Sequence, residues 1–220
     1  MLPEDLMLLF LDDETGRVLS DTASIHTALA AAVLLELVNS GRVAFDADGV
    51  KLAVVDPTPL ENELLQESLI RLYEPMEPTR AVKRLRPHVR DNVMAQLVDQ
   101  GVLTLENTRM FGIFPTERYV IQDPQVITDL RDVICKAAWR RRAPDEHIRA
   151  LMSLLYAVNA VNDVFRGIID GTKVNARAGE IADGDWAAEA VALIMDTTSK
   201  ATSWGIVASS MSAASFGGSR

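Results

Sequence analysis

Between Glu77 and Asp91 the chain carries Arg80, Lys83, Arg84, Arg86 and Arg90, with His88 beside them and no acid in the interval. Guanidinium forks match phosphate oxygens in pairs. Pro87 stands where a proline opens a helix, and a helix N-terminus presents its positive end to anions. The chemistry these residues point to is capture of an anion, not bond-making. Against an anionic membrane each exposed cation adds about 1 kcal/mol, so five give weak attachment that salt weakens further. The competing reading is a solvated helix face paired with acids elsewhere in the chain.

Other residue patterns carry less. The sequence has no P-loop, no G-x-G-x-x-G, no H-E-x-x-H and no G-x-S-x-G. His26, His88 and His147 lack the spacing of a zinc site. Asp46, Asp48 and Gly49 begin like a calcium loop, but a strand follows where further ligands are needed. Asp12, Asp13 and Glu14 read as a solvated turn. Glu36 interrupts an apolar helix, so its carboxylate requires a donor, for which Arg42 is one candidate, or it marks a narrow exposed stripe. Cys135 is the single cysteine, which excludes a disulfide framework. The expectation is a protein that is not an enzyme, with no catalytic residues, no metal and no cofactor.

The net charge of −9 argues against nucleic acid as a partner, yet it is unevenly spread. Residues 1–79 hold 4 basic and 15 acidic side chains, residues 80–149 hold 13 and 9, and the remainder 5 and 7. A basic face on an acidic body follows. No apolar run reaches the roughly 18–20 residues of a bilayer span, and the first ten residues lack a basic leader. The cytoplasm is the simplest compartment.

These residues need elements to hold them. Asp21 and Thr22 cap a helix over about 23–40, stopped by Gly41. Between Ala28 and Val38 only Glu36 is polar, so this helix is buried and central. Residues 43–47 and 50–55 flank Asp48-Gly49, a two-residue hairpin signal, and a second hairpin turns at Glu106-Asn107. Amphipathic patterns predict helices over 61–72, 79–85 and from Pro87 to Gly101. Further helices run from Pro124 to about Trp139, from Pro144 to about Val161, and from Trp186 to about Met195. The fold class is mainly α: a single compact helical domain, residues 1–196, around a buried central helix, with short β-hairpins at the surface. Residues 197–220 are rich in Ser, Ala and Gly and read as a flexible tail.

Five stretches taken in order resemble the Golgi phosphoprotein 3 family. They are residues 8–17 (LLFLDDETGR), 28–42 with Leu35-Glu36-Leu37 and Gly41-Arg42, 97–103 (LVDQGVL), Phe114-Pro115 through Arg118-Tyr119, and 184–191 (GDWAAEAV). The resemblance covers roughly Leu6 to Met195 and is closer to short, prokaryotic-type relatives. It implies one largely helical domain with projecting hairpins. Eukaryotic members are peripheral adaptors that bind phosphatidylinositol 4-phosphate and the cytosolic tails of glycosyltransferases, and one hairpin mediates self-association. In that family a tryptophan before the central helix, an arginine within it and two later arginines three apart form the headgroup site. These fall here at Asp21, Ala30, Pro87 and Arg90, so Arg90 alone is retained, with Arg86, Arg84 and Lys83 near enough to supply charge.

Two functional expectations result. The first is a peripheral membrane adaptor, cytoplasmic or on the cytosolic face of a membrane. It would bind an anionic phospholipid headgroup of the phosphatidylinositol 4-phosphate type through Arg90, with Arg86, Arg84 and Lys83 assisting. The second is a soluble protein-interaction or oligomerisation module that has lost the lipid site.

Overall fold

The computed structural model describes residues 1–110, 114–139, 144–167 and 171–195. Helix α1 (Leu2–Leu9) leads into a turn, then α2 (Thr22–Asn39) and a short hairpin of β1 (Val43–Phe45) and β2 (Leu52–Val54). Helices α3 (Glu63–Arg71), α4 (Pro78–Leu85) and α5 (Val89–Asp99) follow, then the antiparallel pair β3 (Leu103–Met110) and β4 (Phe114–Ile121). The remaining helices are α6 (Gln125–Trp139), α7 (Glu146–Ala157), the single turn α8 (Val161–Val164), α9 (Gly171–Ala182) and α10 (Trp186–Met195). The architecture is mainly α, with two small antiparallel strand pairs among the described residues.

Helix α2 is the axis of the domain. Asp21 caps it by accepting from the Ser24 amide at 3.0 Å, and Gly41 ends it at φ +71°, a left-handed conformation that costs glycine little. Ala28, Ala30, Ala31 and Ala32 are fully buried. Small side chains here let α1, α4, α7 and α10 approach from several directions. Burying Leu29, Leu34 and Leu37 stabilises the fold by about 1.5–3 kcal/mol each. Among the described residues α2 is the one helix long and apolar enough to cross a membrane, but two-thirds of it lies inside the fold.

Several sequence expectations need correction. The first hairpin does not turn in two residues: Phe45 pairs with Leu52, and the Asp46 carboxylate accepts from the Val50 and Lys51 amides. A side-chain cap thus replaces the tight turn. In the second hairpin Glu106 and Asn107 are paired strand residues opposite Arg118 and Glu117. Residues 111–113, between the two strands, lie outside the described residues, as do the Arg140–Arg142 run and residues 196–220. Helix α6 buries Ile127, Arg131, Ile134 and Cys135, leaving Val126 and Val133 exposed. The inward stripe contains a charge, which disguised it in the sequence. Helix α9 was not anticipated because Gly171, Thr172, Asn175 and Gly179 are poor helix formers. Packing against α6 and α7 overrides that preference.

Candidate anion-binding site

The basic stretch folds as a helix, a sharp turn and a second helix. Pro78 fits the first turn of α4, where its missing N–H costs nothing. Lys83 and Arg84 occupy the last turn, where cations interact favourably with the helix dipole. Helix α4 then stops at Leu85. Pro87 does not open α5 but lies in the turn, and His88, at φ +64°, is the N-cap residue. The His88 side chain makes no capping hydrogen bond, which leaves the positive end of α5 uncapped from that side.

The turn divides the five cations into two groups. Arg80 and Arg84 both donate to Glu74 Oε1, at 3.0 and 2.9 Å, and the Arg84 guanidinium stacks 4.9 Å from the Tyr73 ring centre. Their charge is already met by α3 and the segment after it. Lys83 is exposed on α4. Arg86 and Arg90 are half-buried, and neither makes an ion pair with a described residue. Arg71 fixes the turn between them by donating to the Pro87 carbonyl at 3.0 Å.

The sequence reading did not associate His26 with this site. It is half-buried on α2, which packs against both α4 and α5. Burial holds the His26 pKa below its ordinary value; the Arg90 and Arg86 charges act in the same direction, and Asp91 opposes them. Arg86 and Arg90 form the cluster of unpaired cations, and His26, from a third piece of chain, lies within reach of their charge. No local spacing could have signalled it, because residues far apart in sequence meet only through helix packing.

The other candidates have structural partners. Glu36 does not pair with Arg42: it accepts the Leu2 amide at 2.6 Å, while Arg42 meets Asp56 at 2.5 Å. A helix start needs acceptors for its free amides, and Glu36 supplies one to α1. In the acidic turn Asp12 accepts from the Thr15 amide and hydroxyl, and Asp13 meets Arg131 at 3.3 Å. Arg131 is buried and also donates to the Leu11 carbonyl at 3.0 Å. Glu4, equally unremarked in the sequence, is a buried carboxylate that accepts from Gln96 and Gln100. His147 meets Asp5 at 2.7 Å; that hydrogen bond raises its pKa against the lowering effect of burial. Burial pushes the Cys135 thiol up to about 11, leaving it unreactive. Among the described residues no three His, Cys, Asp or Glu side chains are grouped to hold a metal ion.

The positions where the sequence departs from the headgroup pattern of its resembling family have local explanations. Asp21 is the cap of α2, Ala30 lies in the packed core, and Pro87 forms the turn. Arg90 stands at the cluster itself. No individually curated protein matches the chain. The family model described as Golgi phosphoprotein 3 (GPP34) matches residues 2–198, nearly the whole of the helical body that carries this cluster. The chain belongs to the Golgi phosphoprotein 3 family.

Proposed function

We propose that this protein is a non-enzymatic peripheral adaptor that docks on acidic membranes. It does so by gripping a phosphate-bearing headgroup, of the phosphatidylinositol 4-phosphate type, between Arg86 and Arg90. The observation that carries this reading is a pair of half-buried arginines with no carboxylate partner among the described residues. A guanidinium that makes no ion pair within the fold is open to an external anion. A bound phosphate gains charge-assisted hydrogen bonds, each about 1.5–3 kcal/mol. Lys83, exposed nearby on α4, adds long-range attraction, and Arg84 joins only after exchanging Glu74. The expected location is the cytoplasm and the cytosolic face of a membrane.

Flotation with phosphatidylcholine vesicles, with and without phosphatidylinositol 4-phosphate, tests the reading. Wild type should be recovered with the phosphorylated lipid at low salt, and Arg86→Gln/Arg90→Gln should not. Equal recovery of the two proteins would remove the basis for this site.

A second reading has its own observation. A groove of about 300 Å³ between α3 and α5 is lined by Glu61, Glu63, Glu67 and Asp99, with no basic residue in its lining. Such a surface suits a basic protein segment, as a soluble interaction module would require. Light scattering and binding of a cationic peptide, compared with vesicle binding, separate the two.

A further inference from the structure

The two most exposed large apolar side chains among the described residues stand three apart at the end of α3: Tyr73 is 75% exposed and Ile70 63%. The inner stripe of this helix, Leu64, Leu65, Ser68 and Leu69, already faces the core. Neither exposed residue is needed to close the fold. Apolar residues scattered singly over a surface need no explanation, whereas a patch of them marks a contact surface.

Contacts tie this end of α3 to the cationic turn. Arg71 donates to the Pro87 carbonyl at 3.0 Å, and Arg84 donates to the Arg71 carbonyl at 3.5 Å. The Arg84 guanidinium lies 4.9 Å from the Tyr73 ring centre. Residues 67–91 hold six basic and four acidic side chains, a local positive excess on a chain of net charge −9. Two of the acids are met from within: Glu74 by Arg80 and Arg84, and Glu67 by Asn92 and, at 3.9 Å, by Arg71.

We propose that Ile70 and Tyr73 form an interfacial anchor, which enters the boundary between headgroups and acyl chains of an acidic bilayer while the neighbouring cations meet its phosphates. The proposal rests on the reading of this protein as one that docks on acidic membranes. It adds an apolar contact that the Arg86–Arg90 site does not supply. The basic surround is what selects an acidic lipid surface as the occupant. Tyrosine suits that boundary, because its ring is apolar while its hydroxyl stays wet. Arg84, stacked on Tyr73, lays its aliphatic stem on apolar material and keeps its charge at headgroup level. Buried apolar area and attraction to anionic lipid add in such docking. Salt screens only the second.

Depth is read from Ile70→Cys carrying an NBD fluorophore, since Cys135, the single native cysteine, is buried. Val126→Cys, at an exposed position on α6, carries the same label as the reference. The vesicles are phosphatidylcholine with phosphatidylinositol 4-phosphate and a nitroxide in the acyl chains. On bound protein the probe at the end of α3 should shift to the blue and be quenched, and the reference should not. Ile70→Ser/Tyr73→Ser should be recovered about tenfold less than wild type. That ratio should hold across a salt series, whereas the loss in Arg86→Gln/Arg90→Gln should shrink as salt rises. Quenching no greater than that of the reference, or equal recovery of Ile70→Ser/Tyr73→Ser and wild type, overturns the anchor and leaves the headgroup site standing. Quenching that persists in Arg86→Gln/Arg90→Gln at undiminished recovery supports the anchor and removes the headgroup site. No recovery of wild type with these vesicles overturns both. Loss of self-association in light scattering of Ile70→Ser/Tyr73→Ser, with vesicle recovery unchanged, assigns the face to a second copy of the chain and overturns the anchor.

Discussion

Arg84 donates to Glu74 across 2.9 Å, and this contact, with the stacking on Tyr73, occupies a guanidinium from the middle of the basic stretch. Arg80 shares the same carboxylate oxygen at 3.0 Å. The pairs are partly exposed, so they hold the side chains in place more than they stabilise the fold. Glu74→Gln should release both guanidiniums and strengthen recovery with acidic vesicles by several-fold at low salt, an effect that salt abolishes. Arg84→Gln should change vesicle binding far less than Arg90→Gln. Flotation of the three variants across a salt series checks the order, and equal losses in Arg84→Gln and Arg90→Gln would contradict it.

The turn before α2 is locked against β4. A Cβ placed on Gly16 would lie 2.2 Å from the Tyr119 carbonyl oxygen, and Gly16 itself sits at φ +64°. Conformation and space both exclude a side chain. Gly16→Ala should destabilise the protein by at least about 1–2 kcal/mol, read from the urea midpoint. Gly41→Ala, where nothing approaches within 4 Å, isolates the conformational part and should cost less.

Arg131 holds the acidic turn from inside. It donates to Leu11 and meets Asp13. Arg131→Met keeps the aliphatic length but leaves a carbonyl unsatisfied and a carboxylate unpaired. The expected cost is about 1–3 kcal/mol, measured by denaturant unfolding. Vesicle binding per folded molecule should be unchanged, since Arg131 is remote in role from the Arg86–Arg90 cluster.

His26 and His147 should titrate on opposite sides of an ordinary histidine. His147 has a raised pKa, owing first to its hydrogen bond with Asp5. Its contribution to stability is therefore full below the unfolded pKa and is lost as pH rises through the folded value. His26 has a lowered pKa, owing first to burial. The unfolded chain then takes up a proton that the folded chain refuses, and stability falls as pH drops through the unfolded value and toward the folded one. NMR titration of the two rings reads the order directly. Replacing His147 with Gln should cost no more than about 1 kcal/mol near pH 6, because the pair is partly solvated.

What the sequence determined by itself was whatever local pattern or an ordered set of motifs encodes. The unbroken apolar run from Ala28 to Leu35 required a buried α2, Asp21 and Gly41 set its ends, and the motif order from Leu8 to Val191 pointed to the family that the match over residues 2–198 shows. The cations at Arg86 and Arg90 were equally legible. The tertiary structure decided which cations are available. Glu74 withdraws Arg80 and Arg84, the packing of α2 against α4 and α5 sets His26 where the Arg90 and Arg86 charges act on it, and Glu36 serves the start of α1 instead of Arg42. The physical reason is range. Helical periodicity and capping act within a few residues of chain, whereas the partner of a charge is chosen by distance in space once the helices have packed.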